Sequence, residues 1–251
     1  MSIYACQKEK MMFLILCFVL LFLVQVGYAK GSEKQSPKLS KHFVLVHGSC
    51  HGAWSWYKLM ALIRSSGHNV TAIDLAASGI NNQQPRDIPS ISQYFKPLMN
   101  FMTSLPPNKK VVIVGHSLGG LAIARAMETF PEKISASVFI SAAMPGPTLN
   151  VSTLMKVDLA LATTLMRPLY LYTDEDMSKE LKLSHKNYGS VSRVFILSNE
   201  DKVVTRDLQE WMIERNPPDE VEVIEGSDHM VMMSKPVELF VHFLHIAKKY
   251  Y

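Results

Sequence analysis

Short apolar runs alternate with segments of helical periodicity along most of the chain. Six runs rich in β-branched residues predict strands, and the segments between them repeat apolar residues at helical spacing. The predicted strands are His42–Val46, Asn69–Ile73, Lys110–Val114, Ser137–Ser141, Arg193–Leu197 and Val221–Ile224. The predicted helices are Trp56–Ser65, Ile91–Ser104, Gly120–Phe130, Arg206–Arg215 and Val237–Lys249. This alternation predicts an α/β fold with a six-stranded, mostly parallel sheet that helices cover on both faces.

One segment, at about residues 146–189, does not follow this alternation. It offers two or three short helical pieces, which Pro147, Pro168 and the acidic run Asp174-Glu175-Asp176 interrupt. Ligands of open α/β sheets bind beyond the carboxyl ends of the strands, so an insertion at that end would cover them. The segment is therefore predicted to be a cap within one domain over residues 42–251.

The N-terminus has the pattern of a secretory signal peptide. Lys8 and Lys10 precede an uncharged apolar stretch that ends in Gly27-Tyr28-Ala29, where small residues suit cleavage after Ala29. The apolar stretch is shorter than the roughly twenty residues that a membrane-spanning helix needs. We expect residues 1–29 to be removed in the secretory or endomembrane system, which leaves residues 30–41 as a polar tether. An uncleaved membrane anchor is the alternative.

Composition and charge exclude several classes of function. The 251 residues are 48% hydrophobic, which suffices for one packed domain. The 26 basic and 22 acidic residues are interspersed, with a net charge of +4 and no basic block, so no nucleic-acid partner is expected. Cys6 and Cys17 lie in the predicted leader, so the mature chain would keep only Cys50 and form no internal disulfide.

The third predicted strand leads into Gly115-His116-Ser117-Leu118-Gly119, a Gly-x-Ser-x-Gly motif followed by a helix of small residues. This motif turns a strand sharply into a helix and exposes the serine hydroxyl, because the glycines lack the Cβ atoms that would block the turn. The N–H groups at the start of the helix, that of Leu118 first, can stabilise an oxyanion. Ser117 is therefore the candidate nucleophile. The alternative is a glycine-rich turn with a capping serine.

A serine nucleophile needs a histidine base and a carboxylate, which in this architecture follow it along the chain in loops after later strands. His229 follows the last predicted strand and is the candidate base. Asp201 follows the fifth and is the candidate acid, with Glu200 as its possible replacement. Asp228 would have to fold back to reach the imidazole. The remaining histidines considered lie in predicted helices, where structural roles are expected: His185, His242 and His245.

The loop after the first strand is expected to supply the second oxyanion donor, the backbone N–H of Ser49. The types and spacing of His47, Cys50 and His51 in this loop also permit zinc binding. A fourth ligand at a regular spacing is missing, and a strand-to-helix turn would point these side chains apart. No metal or other cofactor is therefore expected.

Together these motifs resemble the plant methylesterase family of the α/β-hydrolases, which is related to polyneuridine aldehyde esterase and to hydroxynitrile lyases. The resemblance rests on His42–Trp54, Asp74–Asn81, Gly115–Gly120, Tyr188–Val191, Asn199–Lys202 and Asp228–Met230. It implies an α/β-hydrolase fold, a triad of Ser117, His229 and Asp201, and an oxyanion hole from Ser49 and Leu118. It also implies hydrolysis of methyl esters of plant hormones, methyl jasmonate and methyl salicylate first and methyl indole-3-acetate next.

The resemblance favours an esterase over a lyase. Hydroxynitrile lyases of this group typically carry Thr or Asn where this chain has Gly48, and many carry Lys where it has Met230. Gly48, His51 and Met230 are expected to contact the substrate in an apolar pocket that suits a small acyl group. The expected partner is a small-molecule ester, and both a monomer and a homodimer are consistent with the sequence.

Two departures from the family pattern change what is expected. Most members have no secretory leader. Between Lys156 and Val157, a further stretch of roughly forty to fifty residues that builds much of the family's cap is absent, and only 84 positions separate Ser117 from Asp201. The acyl pocket is therefore expected to be more open. A ligand-binding protein of hydrolase ancestry, with little or no turnover, is the alternative from another functional class.

Overall fold

Six parallel strands form one sheet in the computed structural model, which describes residues 40–151, 153–154 and 172–251. The strands are β1 (His42–Val46), β2 (Asn69–Ile73), β3 (Val111–His116), β4 (Ile134–Ile140), β5 (Arg193–Ser198) and β6 (Glu220–Ile224). They lie in the order β2-β1-β3-β4-β5-β6, and each neighbouring pair is parallel. The strand order reverses between β1 and β3, which is where open α/β sheets bind ligands.

Helices cover both faces of the sheet, as predicted. They are α1 (Tyr57–Ser65), α2 (Ile91–Ser104), α3 (Gly119–Thr129), α4 (Asp174–Glu180), α5 (Arg206–Arg215), α6 (Val231–Ser234) and α7 (Pro236–Tyr250). Apolar side chains of α1 and α7 pack on one face, and those of α2, α3 and α5 pack on the other. The five predicted helices agree with the structure to within one residue at each end, whereas the short α6 was not predicted.

The central strands are buried on both faces, which explains their uninterrupted apolar sequences. In β1, Val44 and Val46 pack toward α2 and α3, and Phe43 and Leu45 pack toward α1 and α7. All four side chains are 0% exposed. Because successive residues of a strand point to opposite faces, packing on both faces fixes the position of each strand along its axis. It therefore also fixes where the following loop begins.

The predicted leader and most of the tether, residues 1–39, lie outside the described residues, as do residues 152 and 155–171 of the predicted cap. Residues Ser40–Tyr251 belong to one compact unit. Within the described ranges, no helix is both long and apolar enough to cross a membrane. The signal peptide, its cleavage and the extent of the cap therefore stay predictions.

Candidate active site

Ser117 lies in the sharp turn between β3, which ends at His116, and α3, which begins at Gly119. Its φ angle is 52°, in the left-handed region that side-chain-bearing residues seldom adopt. A Cβ atom on Gly115 would lie 2.8 Å from the Gly119 carbonyl oxygen, and one on Gly119 would lie 2.6 Å from the His47 carbonyl oxygen. Both positions therefore require glycine. This is the geometry of a nucleophile elbow.

His229 and Asp201 come from the loops after β6 and β5 and are in direct contact. His229 Nδ1 lies 2.7 Å from Asp201 Oδ2, and the two side chains are 10% and 0% exposed. Asp201 Oδ1 accepts hydrogen bonds from the N–H groups of Val203 (2.7 Å) and Val204 (3.0 Å). A carboxylate can only accept, so Nδ1 is the protonated nitrogen and Nε2 is left to take up a proton.

The acid loop is held from two sides. The Glu200 N–H donates to the Ser227 carbonyl oxygen (3.0 Å), which ties this loop to the one that carries the histidine. From α5, the buried Gln209 side chain accepts from the Ser198 N–H (3.1 Å) and donates to the carbonyl oxygens of Ser198 (3.0 Å) and Val204 (2.7 Å). Sequence reasoning missed Gln209, although a glutamine one turn into a helix that follows the acid loop was a usable signal.

His116 is a second residue that sequence reasoning missed. Its ring centroid lies 4.6 Å from that of His229, and its Nε2 donates to the His229 carbonyl oxygen at 2.7 Å. Burial and the neighbouring His229 hold the pKa of His116 well below its usual value, so the ring is neutral and carries its proton on Nε2. A Cβ atom on Gly48 would lie 2.9 Å from His116 Nδ1 and 2.7 Å from Ser117 Cβ. His116 therefore joins the loop after β1 to the candidate base.

The backbone N–H groups of Ser49 and Leu118 were predicted to form the oxyanion hole. Neither donates a hydrogen bond within the part of the chain that the structure describes. Two histidines hold the loop after β1 by its carbonyl oxygens instead: His47 Nδ1 donates to Gly48 (2.7 Å) and His51 Nδ1 to Ser49 (2.6 Å). The loop is thus fixed without use of the N–H group that was predicted to bind an oxyanion.

The alternative carboxylates have other positions. Asp228 Oδ1 accepts hydrogen bonds from the Met230 N–H (3.0 Å) and the Ser234 hydroxyl (2.7 Å), so it stabilises the turn into α6. The Glu200 side chain is exposed. Asp201 is the carboxylate that contacts His229.

Two of the other histidine candidates contact a carboxylate. His242 and His245 lie on α7 and both contact the Glu222 carboxylate on β6. His185 was predicted in a helix, and that was wrong: it lies exposed in a turn. His47 uses both ring nitrogens, because its Nε2 accepts from the Leu75 N–H at 3.1 Å. It is therefore not available as a zinc ligand.

A cavity of about 240 Å³ lies beside the loop after β1. Cys50 and His51 of that loop form one wall, the loop Ala76–Asn81 after β2 forms another, and the rings of Tyr94 and Tyr172 also line the space. Asp74 connects the loop after β2 to the loop after β1, since it accepts hydrogen bonds from the N–H groups of Ile80 (3.3 Å) and Ala53 (2.6 Å).

The three residues predicted to contact substrate have different surroundings. His51 lines the cavity. Gly48 lies under Ser117, where a larger side chain has no room. Met230 is half-buried and packs against the core on the α1 and α7 face. The structure thus brings Gly48 and His51 to the candidate site, and the substrate contact of Met230 stays a prediction.

Comparison with known proteins agrees with this fold. Residues 43–243 match the model of the alpha/beta hydrolase family. Methyl jasmonate esterase 1 of Vitis vinifera is 44% identical, over 85% of this chain and 99% of that protein. Methylesterase 1 of Arabidopsis thaliana is 43% identical, over 85% and 98%. A crystal structure of a tomato methylketone synthase I variant complexed with beta-ketoheptanoate superimposes with a TM-score of 0.82 and 49% identity, over 86% and 100%.

The alignments with the relatives include positions that this chain lacks. The alignment with the Vitis vinifera esterase extends over 258 positions but includes only 85% of the 251 residues, so about 45 of its positions have no counterpart here. This difference has the size that the sequence predicts for the shortened cap.

Proposed function

Because the chain belongs to the alpha/beta hydrolase family, as an ester hydrolase of its plant methylesterase group, we propose that it cleaves methyl esters of small plant hormone acids. Methyl jasmonate and methyl salicylate are the first candidates, and methyl indole-3-acetate is the next. The observation that carries the proposal is the contact between Asp201 and His229 at the sheet edge where Ser117 occupies a strained turn. A protein that only binds a ligand has no need of these groups.

In the proposed reaction, Ser117 Oγ attacks the ester carbonyl carbon while His229 Nε2 takes up the hydroxyl proton. The carbonyl oxygen becomes an oxyanion, which the N–H groups of Ser49 and Leu118 stabilise. When the C–O bond to the methoxy group breaks, His229 returns the proton and methanol leaves. Water, deprotonated by the same nitrogen, then attacks the acyl carbon; the bond to Ser117 Oγ breaks, His229 returns the proton to that oxygen, and the acid leaves.

Asp201 supports both halves of this cycle. Its carboxylate fixes the His229 tautomer and stabilises the imidazolium that forms in each transition state. Because two backbone N–H groups already hold the other carboxylate oxygen, Asp201 needs no rearrangement when the charge develops. The neutral His116 lies beside His229 and adds no positive charge that would oppose its protonation.

The proposal is tested by hydrolysis of p-nitrophenyl acetate and the three hormone methyl esters, and by labelling with a fluorophosphonate probe. Ser117→Ala should lower kcat by about 10⁶-fold and abolish labelling, because it removes the nucleophile. Ser65→Ala, on the exposed face of α1, is the matched control and should keep both. A folded wild-type protein that hydrolyses none of these esters and is not labelled by the probe would favour the ligand-binding alternative.

A further inference from the structure

One buried side chain, that of Gln209, joins both ends of the loop that carries Asp201. It lies one turn into α5 and is 0% exposed. Its amide oxygen accepts from the Ser198 N–H at 3.1 Å, where the chain leaves β5. Its amide nitrogen donates to the carbonyl oxygens of Ser198 (3.0 Å) and Val204 (2.7 Å). A single side chain therefore closes this loop at its base.

Asp201 and Gln209 bind to the same two residues of the loop. The Asp201 N–H donates to the Ser198 carbonyl oxygen at 3.4 Å, and Asp201 Oδ1 accepts from the Val204 N–H at 3.0 Å. Gln209 binds the carbonyl oxygens of both residues. A shift of Ser198 or Val204 would therefore move the carboxylate, whose other oxygen lies 2.7 Å from His229 Nδ1.

The contacts of Gln209 require a group that both accepts and donates hydrogen bonds. A side-chain amide has an acceptor oxygen and two N–H donors, so it satisfies all three backbone groups. Methionine has a similar length but forms none of these hydrogen bonds. An ionised glutamate only accepts, and it would place its charge against two carbonyl oxygens. Backbone groups that lose the amide would stay buried without it, which costs free energy.

Asn216, which directly follows α5, is a second buried amide and provides a comparison with Gln209. It is 5% exposed and donates to the carbonyl oxygens of Met144 (3.3 Å) and Pro145 (3.0 Å) in the loop after β4. Within the part of the chain that the structure describes, no hydrogen bond joins Asn216 to the loop that carries Asp201. The two amides can therefore separate an effect on stability from an effect on the acid.

We propose that Gln209 is a positioning residue of the candidate active site, and that it sets the turnover rate by holding Asp201 against His229. It acts through the loop and takes no part in bond breaking. Because the carboxylate must stabilise the imidazolium in each transition state, a displacement of about 1 Å slows every step that protonates His229. The inference rests on the proposed function, since it assumes that these residues act on an ester bound at Ser117.

The kinetic test uses Gln209→Met, which keeps the length of the side chain and removes its hydrogen bonds. We expect kcat for p-nitrophenyl acetate to fall by about 10- to 100-fold and KM to stay within about twofold, because no substrate contact is lost. Asn216→Leu is the matched control: it should also lower the melting temperature but keep kcat. Gln209→Glu should lose less at about pH 6, where a buried carboxyl group is neutral and keeps one acceptor and one donor.

The proton between His229 Nδ1 and Asp201 provides a second measurement that needs no turnover. A proton in a buried hydrogen bond to a carboxylate resonates downfield of the amide protons in the ¹H NMR spectrum, because the bond is charge-assisted. His229→Ala should abolish this resonance and so assign it. Gln209→Met should move it upfield or broaden it, whereas Asn216→Leu should leave it at the wild-type position.

The inference is overturned if Gln209→Met keeps both the wild-type kcat and the wild-type resonance, or if Asn216→Leu changes both as much. If the wild-type protein hydrolyses no ester, the proposed function fails, and the resonance alone still decides whether Gln209 holds the acid against the base. If Gln209→Met does not fold, Gln209→Glu takes its place and should show smaller changes in the same direction. Wild-type values of both quantities in that variant would contradict the positioning role.

Discussion

The acid and base loops follow β5 and β6, and the cavity lies beside the loops after β1 and β2, so both are at the carboxyl edge of the sheet, but they differ in how their polar groups are paired. Asp201 is held by His229 and by two backbone N–H groups, and Gln209 fastens the loop beneath it. In the cavity, the Tyr94 hydroxyl has no partner among the described residues. The difference indicates that the proposed chemical groups are preorganised by their hydrogen-bond partners.

Substitution of the acid should have the largest effect on the preorganised side of this comparison. We expect Asp201→Asn to lower kcat for p-nitrophenyl acetate by about 10⁴-fold, because an amide that donates to Nδ1 leaves the proton on Nε2. The fold should persist, since the amide oxygen can still accept from Val203 and Val204. The measurement is steady-state kinetics together with the circular dichroism spectrum.

Glu200→Gln is the matched control, because Glu200 is the exposed neighbour that was the alternative acid. It should keep the wild-type kcat. A large loss in Glu200→Gln with a small one in Asp201→Asn would reverse the assignment of the acid.

Substitution of His116 should have a smaller effect, since this residue acts only through His229. We expect His116→Leu to lower kcat by about 10- to 100-fold, because the His229 carbonyl loses its donor and the ring loses its support. His116→Gln, whose amide nitrogen can replace Nε2, should recover most of this loss. In the pH profile of kcat/KM, the leucine variant should shift the acidic limb and the glutamine variant should not. Full activity in the leucine variant would rule out this positioning role.

The smallest expected effect concerns stability against pH. Burial lowers the folded-state pKa of both His116 and His47 below the usual value of 6.5. The unfolded chain then binds more protons than the folded one as the pH falls below 6.5, so the free energy of unfolding decreases toward acid pH. His116→Gln should reduce this decrease, measured as the difference in melting temperature between pH 8 and pH 5. An unchanged difference would mean that His116 does not contribute.

Local sequence signals predicted the strands and the elbow because both depend on residues close together in the chain. The apolar run of β3 and the glycines around Ser117 are adjacent, and their spacing alone requires a strand followed by a tight turn. Asp201 and His229 could be chosen by chain order, since each lies in the loop after one of the last two strands. These residues needed no knowledge of side-chain contacts.

Contacts between distant segments were beyond such reasoning. His116 occupies a variable position of its motif, and its role depends on a carbonyl oxygen 113 residues away. His185 has helix-compatible neighbours but lies in a turn, so its predicted helix failed. The absence of a partner for the Tyr94 hydroxyl can be recognised only when every side chain around it has been placed. Sequence patterns indicate which residues are buried, but they do not show which distant residues contact them.

The left-handed backbone of Ser117 also limits how this position can evolve. Threonine carries the other aliphatic hydroxyl of the genetic code, but its branched Cβ is incompatible with a positive φ angle in a turn this crowded. A single-base change from serine to threonine at position 117 would therefore not fit this turn. Cysteine, with an unbranched side chain, would fit it. The turn that exposes the nucleophile thus also limits which reactive side chains can replace the serine.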